Sequence, residues 1–213
     1  MKILAARALL VLIALVALSG CQDPPPELID IGQLPAFEFV DQRGAAVGTE
    51  ALRGRPWVAS FIFTSCPTSC PPLVRAKADL QAMIKTWAPG PDFPVQLVSI
   101  SVDPVTDTPD RLKSFGDEYG VDPNLWRLAR GDYAQMEALV TEGFMLPIIR
   151  KDAAGAATLE DRKAALERPT PIDTAHSLRF VLVDGQGHIR GLFDKSEEDL
   201  VKLNAALKHL AGR

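Results

Sequence analysis

Along this chain the apolar positions alternate between two periods, and each change of period marks an element. Residues 57–63 form a nearly unbroken apolar run, as expected of a central strand buried on both faces. From Pro72 onward, Leu73, Ala76, Leu80, Met83, Ile84 and Trp87 recur every three or four positions, which predicts a helix closed by Pro89-Gly90. Residues 95–101 read as a second strand. Thr108-Pro109 predicts an N-cap with proline at the first helical position, opening a helix over 109–119. Residues 125–128 read as a short strand, and Asp132 as the cap of a helix reaching about Thr141.

The two ends of this central stretch carry turn signals. Residues 37–40 alternate and run into Asp41-Gln42-Arg43-Gly44, predicting a strand and turn, with residues 47–52 returning as a second short strand. Residues 180–183 and 188–193 flank Asp184-Gly185-Gln186-Gly187, a hairpin signal, and Ser196 caps a final amphipathic helix through about Leu210. Residues 153–171 are Ala-rich, then charged and bounded by proline. They read as an exposed insertion or a short helix-loop that leads into His176. Strands and helices thus alternate before the chain ends hairpin-helix, the element order of a thioredoxin-like sandwich. The expected fold is α/β, a central mixed β-sheet flanked by helices, with an added N-terminal β-hairpin.

The N-terminus changes the picture of where this domain works. Met1-Lys2 and Arg7 precede an apolar block over residues 8–18, and Leu18-Ser19-Gly20-Cys21 follows. A basic start, a short apolar core and small residues at the junction are the secretory pattern. The ending resembles the lipobox at which bacterial lipoproteins are lipidated on cysteine. The block is about half of the ~20 residues needed to span a bilayer. Residues 1–20 are therefore read as a lipoprotein signal peptide, Cys21 as the lipid-bearing residue, and residues 21–33 as a Pro-rich spacer stiffened by Pro24-Pro25-Pro26. Residues 34–213 are read as one domain, extracytoplasmic and tethered to a membrane by its lipid. Acidic residues exceed basic ones, 27 against 23, with no basic run, which argues against nucleic acid as a partner.

Of three cysteines, lipidation of Cys21 leaves Cys66 and Cys70. They sit in Cys66-Pro67-Thr68-Ser69-Cys70, just after the buried strand. Residues i and i+4 share one helix face about 6 Å apart, so two sulfurs so placed can converge on a soft metal or exchange a disulfide. As a mere staple the pair would do little, since so short a loop yields only about 2 kcal/mol. A third ligand has three imidazole candidates. His188 follows the hairpin turn and His209 ends the last helix, where a cation is favourable; both read as surface residues. His176 lies between the irregular segment and an apolar strand, where a loop side chain can be delivered to the cysteines. Met136 and Met145 read as core filling rather than thioether ligands.

Three blocks taken in order resemble the Sco/SenC family: residues 63–71 around the cysteines, residues 101–109 (Ser-Val-Asp-Pro-Val-Thr-Asp-Thr-Pro), and residues 176–184 beginning His-Ser-Leu-Arg-Phe. The resemblance spans roughly residues 34–210. Members of that family are membrane-tethered thioredoxin-like proteins that bind copper and assist assembly of the dinuclear copper centre of cytochrome c oxidase. The resemblance implies Cys66, Cys70 and His176 as copper ligands. It implies Asp103 and Asp107 as residues that support the site or dock a partner, beside the plainer readings of turn formation for Asp103 and helix capping for Asp107. As partners it implies oxidase subunit II or another cuproprotein, a copper donor or thioredoxin-like reductant, and the periplasmic face of the inner membrane. Soft thiolates favour Cu(I) and imidazole suits both oxidation states. Thr68 departs from the family, which usually has an acidic residue there. The competing reading is an extracytoplasmic thiol-disulfide oxidoreductase in which Cys66 attacks and Cys70 resolves. A peroxidase of the peroxiredoxin type fits poorly, because Ala59 and Phe63 stand where its Pro and Thr belong.

Overall fold

The computed structural model describes residues 26–146 and 179–213. Its strands are β1 (Gly32–Gln33), β2 (Glu38–Asp41), β3 (Ala46–Gly48), β4 (Trp57–Ile62), β5 (Gln96–Ser101), β6 (Trp126–Arg130), β7 (Phe180–Val183) and β8 (His188–Phe193). Its helices are α1 (Thr49–Leu52), α2 (Cys70–Trp87), α3 (Pro109–Glu118), α4 (Tyr133–Ala138) and α5 (Glu197–Leu210), with one π-helical turn over Leu139–Gly143. The strands form a single mixed sheet in the order β1-β8-β7-β4-β5-β6-β2-β3.

The two all-apolar runs occupy the centre. Every residue of β4 and of β5 is buried, and these strands pair in parallel with each other and with β6, while β7 runs antiparallel to β4. Alternate side chains leave a strand on opposite faces, so β4 divides the core. Val58 and Ile62 join a cluster with Leu73, Leu80, Leu112, Leu203 and Leu207 under α2, α3 and α5. Trp57, Ala59 and Phe61 join Met136, Leu139 and Val140 on the other face. The parallel pairing has one consequence for function. The carboxyl ends of β4 and β5 leave the sheet side by side, with Ile62 opposite Ser101, and such paired exits are where open α/β sheets bind ligands.

The thioredoxin-like architecture and the N-terminal hairpin, β2 with β3, match the expectation; several boundaries move. Residues 49–52 are helical rather than strand, because Thr49 closes the hairpin against Phe37, its backbone N–H donating to the Phe37 carbonyl at 3.0 Å and its hydroxyl accepting from the Phe37 N–H at 3.0 Å. The turn that follows buries Leu52. Helix α2 starts at Cys70 rather than Pro72, since Pro71 and Pro72 fall in the first turn, where no N–H is needed. Pairing begins before Leu34: β1 runs antiparallel to β8, and the N–H groups of Ile29 and Ile31 reach the carbonyls of Arg190 and Ile189. A two-residue strand has no period to read. The helix capped by Asp132 ends at Ala138 and widens into the π-helical turn.

Candidate metal and thiol site

The peptide leaving β4 turns at once. The Cys66 N–H donates to the Phe63 carbonyl at 3.1 Å, and four residues later Cys70 opens α2. Both cysteines are free thiols and both are buried. The Cys70 N–H points at the Cys66 sulfur, N to Sγ 3.3 Å, and the Ser69 hydroxyl lies 3.2 Å from the same sulfur. Burial pushes the Cys66 thiol up. Hydrogen bonds from Ser69, from the backbone of Cys70 and Thr68 and from the Cys70 thiol outweigh it, lowering Cys66 to about 7. Burial also pushes Cys70 up. The Phe63 backbone counters part of that, but Cys66 and the charge of Asp107 add to it, and Cys70 rises to about 12. Two thiols four residues apart thus differ in acidity by about five pH units. Near neutral pH one is a ready thiolate, and the other keeps its proton until something displaces it.

The second strand exit braces the first. Asp107 is fully buried and accepts from the Thr64 N–H at 3.2 Å, the Thr64 hydroxyl at 2.5 Å and the Ser101 hydroxyl at 2.6 Å. It therefore ties the cysteine loop to the end of β5. Arg111 from α3 adds a guanidinium contact to the Thr64 hydroxyl oxygen at 2.7 Å. Thr108 caps α3 as its place before Pro109 predicts, its hydroxyl accepting from the Arg111 N–H, whereas Asp107, for which capping was the plainer reading, takes no part in the cap. Asp103 is 3% exposed and makes the turn, its Oδ1 accepting from the Thr106 N–H at 3.3 Å. Its Oδ2 is buried with no partner among the described residues. Both carboxylates are buried.

Other candidates separate cleanly. His188 sits at the β1 edge with Nδ1 3.2 Å from the Asp30 carboxylate, and His209 lies in the last turn of α5. Met136 is fully buried in the core; Met145 is 56% exposed, so core filling does not describe it. His176, Cys21, the signal peptide and the 153–171 segment lie outside the described residues. Among the described residues no cluster of three or more His, Cys, Asp or Glu converges as a metal site, and no helix is long and apolar enough to cross a membrane. Thr64, Ser69, Ser101 and Arg111 escaped the sequence reading. The contacts of Thr64 with Asp107 and Arg111 join segments more than forty residues apart, whereas Ser69 and Ser101 lie three and six residues from Cys66 and Asp107, a spacing that offered a signal.

Comparison with known proteins covers nearly all of this structure. The SCO1/SenC family model matches residues 31–212. A SCO1/SenC family lipoprotein from Bacillus anthracis superposes with a TM-score of 0.68 at 27% identity, over 87% of this chain and 98% of its own. BsSco, described as a member of the Sco family of cytochrome c oxidase assembly proteins with a disulfide switch, gives 0.66 at 26%, over 86% and 96%. ScoI of Bradyrhizobium japonicum with copper bound gives 0.63 at 23%, over 84% and 99%, a likeness of fold.

Proposed function

The chain belongs to the SCO1/SenC family, and on that premise we propose that it is a lipid-anchored copper metallochaperone serving the dinuclear copper site of cytochrome c oxidase subunit II. The observation that carries the reading is the pair of buried, unbridged thiols of unequal acidity at the paired carboxyl ends of β4 and β5. Copper is cargo here. Cys66, about half ionised at pH 7, offers the first ligand, and copper takes the place of the Cys70 proton as the second sulfur engages. His176 supplies nitrogen as the third ligand. One Sco relative with copper bound supports the cargo, and another described as a cytochrome c oxidase assembly protein supports the client. The lipobox ending at Cys21, together with a relative described as a lipoprotein, supports the anchor and a site on the periplasmic face of the inner membrane.

The test is a copper titration of the reduced protein against a competing chelator, repeated with His176→Ala. One equivalent bound through sulfur and nitrogen, weakened in the variant with the fold intact, is the expected result; equal affinity in the variant overturns the three-ligand site. A second reading, thiol-disulfide reduction of a client, is favoured by the acidity split, which suits Cys66 to attack and Cys70 to resolve. Catalytic turnover of a disulfide client by metal-free protein, abolished by Cys66→Ser, would favour it over copper delivery.

A further inference from the structure

Two turns into α2, on the face that carries Cys70, Lys77 is 1% exposed. Its Nζ lies 2.7 Å from the Val98 carbonyl, 3.1 Å from the Val58 carbonyl, 2.9 Å from Ser60 Oγ and 3.3 Å from Ser99 Oγ. The two hydroxyl oxygens are 3.0 Å apart, and the Trp126 indole N–H donates to Ser99 Oγ at 2.9 Å. The Trp126 ring faces the amine at 5.7 Å. The groups packed on Lys77 from β4, β5 and β6 are therefore carbonyls, hydroxyls and an indole, none of them titratable. Burial lowers its pKa, and among the described residues no carboxylate or second cation acts on it.

Counting protons distinguishes the two forms of the amine. A neutral amine has two N–H groups and one lone pair. The carbonyls of Val58 and Val98 take the two N–H groups, the Ser60 hydroxyl donates to the lone pair, the Ser99 hydroxyl donates to Ser60 Oγ, and Trp126 donates to Ser99 Oγ. Every donor has an acceptor. An ammonium has a third N–H, which must go to one of the serine oxygens. The two hydroxyl protons then have only each other's oxygen, and one is left without an acceptor. That orphan adds to the cost of a buried charge with no counter-ion.

The cluster also sets a register. Lys77 and Cys70 are seven residues apart, within about 20° of the same helix face and about 10 Å along the axis. Ser60, beside Lys77, and Phe63, whose backbone bonds Cys70, are three residues apart in and just beyond β4, again about 10 Å. Helix and strand therefore carry matched pairs of pins. The Lys77 pin decides how far α2 slides along β4, and with it where the Cys70 sulfur stands relative to the Cys66 loop.

We propose that Lys77 is held as a neutral amine and is a positioning residue for the dithiol, so that its uptake of a proton loosens the helix that carries Cys70. The inference stands apart from the copper reading, because it concerns the metal-free reduced protein. The test is one NMR titration of the reduced full-length chain. It follows the side-chain carbon and nitrogen shifts of Lys77, assigned by their loss in Lys77→Met, together with the backbone amides of residues 70–74. Expected are free-amine shifts at neutral pH, a move to ammonium shifts at lower pH, and a step in the amides at the same midpoint. In Lys77→Met that step disappears, while the amide step caused by Cys66 near pH 7 persists. Ammonium shifts at neutral pH overturn the neutral amine. A Lys77 transition that the amides of α2 do not share overturns the positioning role. Should Lys77→Met not fold, the agreement or disagreement of the two midpoints in the parent protein decides.

Discussion

Helix α2 carries two buried polar clusters two turns apart, and they are finished to different degrees. Around Lys77 every donor and acceptor is matched within the protein. Around Cys66 and Cys70 the thiols are unbridged, with one proton loosely held and one tightly. A thiol reacts and binds metal through its thiolate, so the cluster with the loosely held proton is the one open to exchange. In the proposed reading the closed cluster sets geometry and the dithiol exchanges with a metal or a client.

The strongest way to break that contrast is to remove a sulfur. Cys66→Ser is expected to lower copper affinity by more than about 100-fold, beyond the 10- to 100-fold typical of losing a supporting residue. Far-UV circular dichroism should stay unchanged, and competition with a chelator reads the affinity. An unaltered affinity would place the metal elsewhere and remove the functional half of the comparison.

Alkylation sharpens the difference within the open cluster. The reaction needs the thiolate, so the Cys66 rate should rise with pH, reach half its maximum at about 7 and level off above it, while Cys70 stays unreactive until far higher pH. Because a more basic thiolate is also the better nucleophile, the five-unit gap should appear at pH 8 as a rate ratio of about 100-fold. Peptide mass spectrometry after brief exposure to iodoacetamide measures it, and equal labelling would show that the two sulfurs share one environment.

Asp107→Asn tests whether the open cluster depends on closed bracing around it. Asp107 accepts from three donors, and an amide turns two protons toward them, so a loss of about 2 kcal/mol in denaturant unfolding is expected. The Cys70 thiol should become more acidic, since the Asp107 charge helps to raise it. Thr108→Ala provides the smallest effect and the control. It removes the N-cap of α3, which should cost about 1 kcal/mol and leave the alkylation ratio where it was. A change in that ratio would mean that α3 and the thiols are coupled more broadly than through Arg111 and Thr64.

The central strands, the three long helices and the terminal hairpin were legible because their apolar residues repeat at the period of the element they form. Where an element is short or set by a distant contact, no such period exists. Strand β1 exists because β8 offers it carbonyls, and residues 49–52 turn because Thr49 bonds back to Phe37. Lys77 did leave a trace, a charge on the apolar stripe of α2 between Leu73 and Leu80, but a lone lysine there does not reveal two serines and a tryptophan waiting for it.

By itself the sequence determined the cysteine spacing, the order of the longer strands and helices and the blocks that carry the family resemblance, all of which depend on residue type and local period. Tertiary structure alone decided the unequal acidity of Cys66 and Cys70, the change of Asp107 from a presumed cap into a brace between two strand exits, and the enclosure of Lys77. Each of these depends on which distant dipoles and carbonyls surround a buried group once water has been removed. Proximity of that kind is made by folding and is not written in any local pattern.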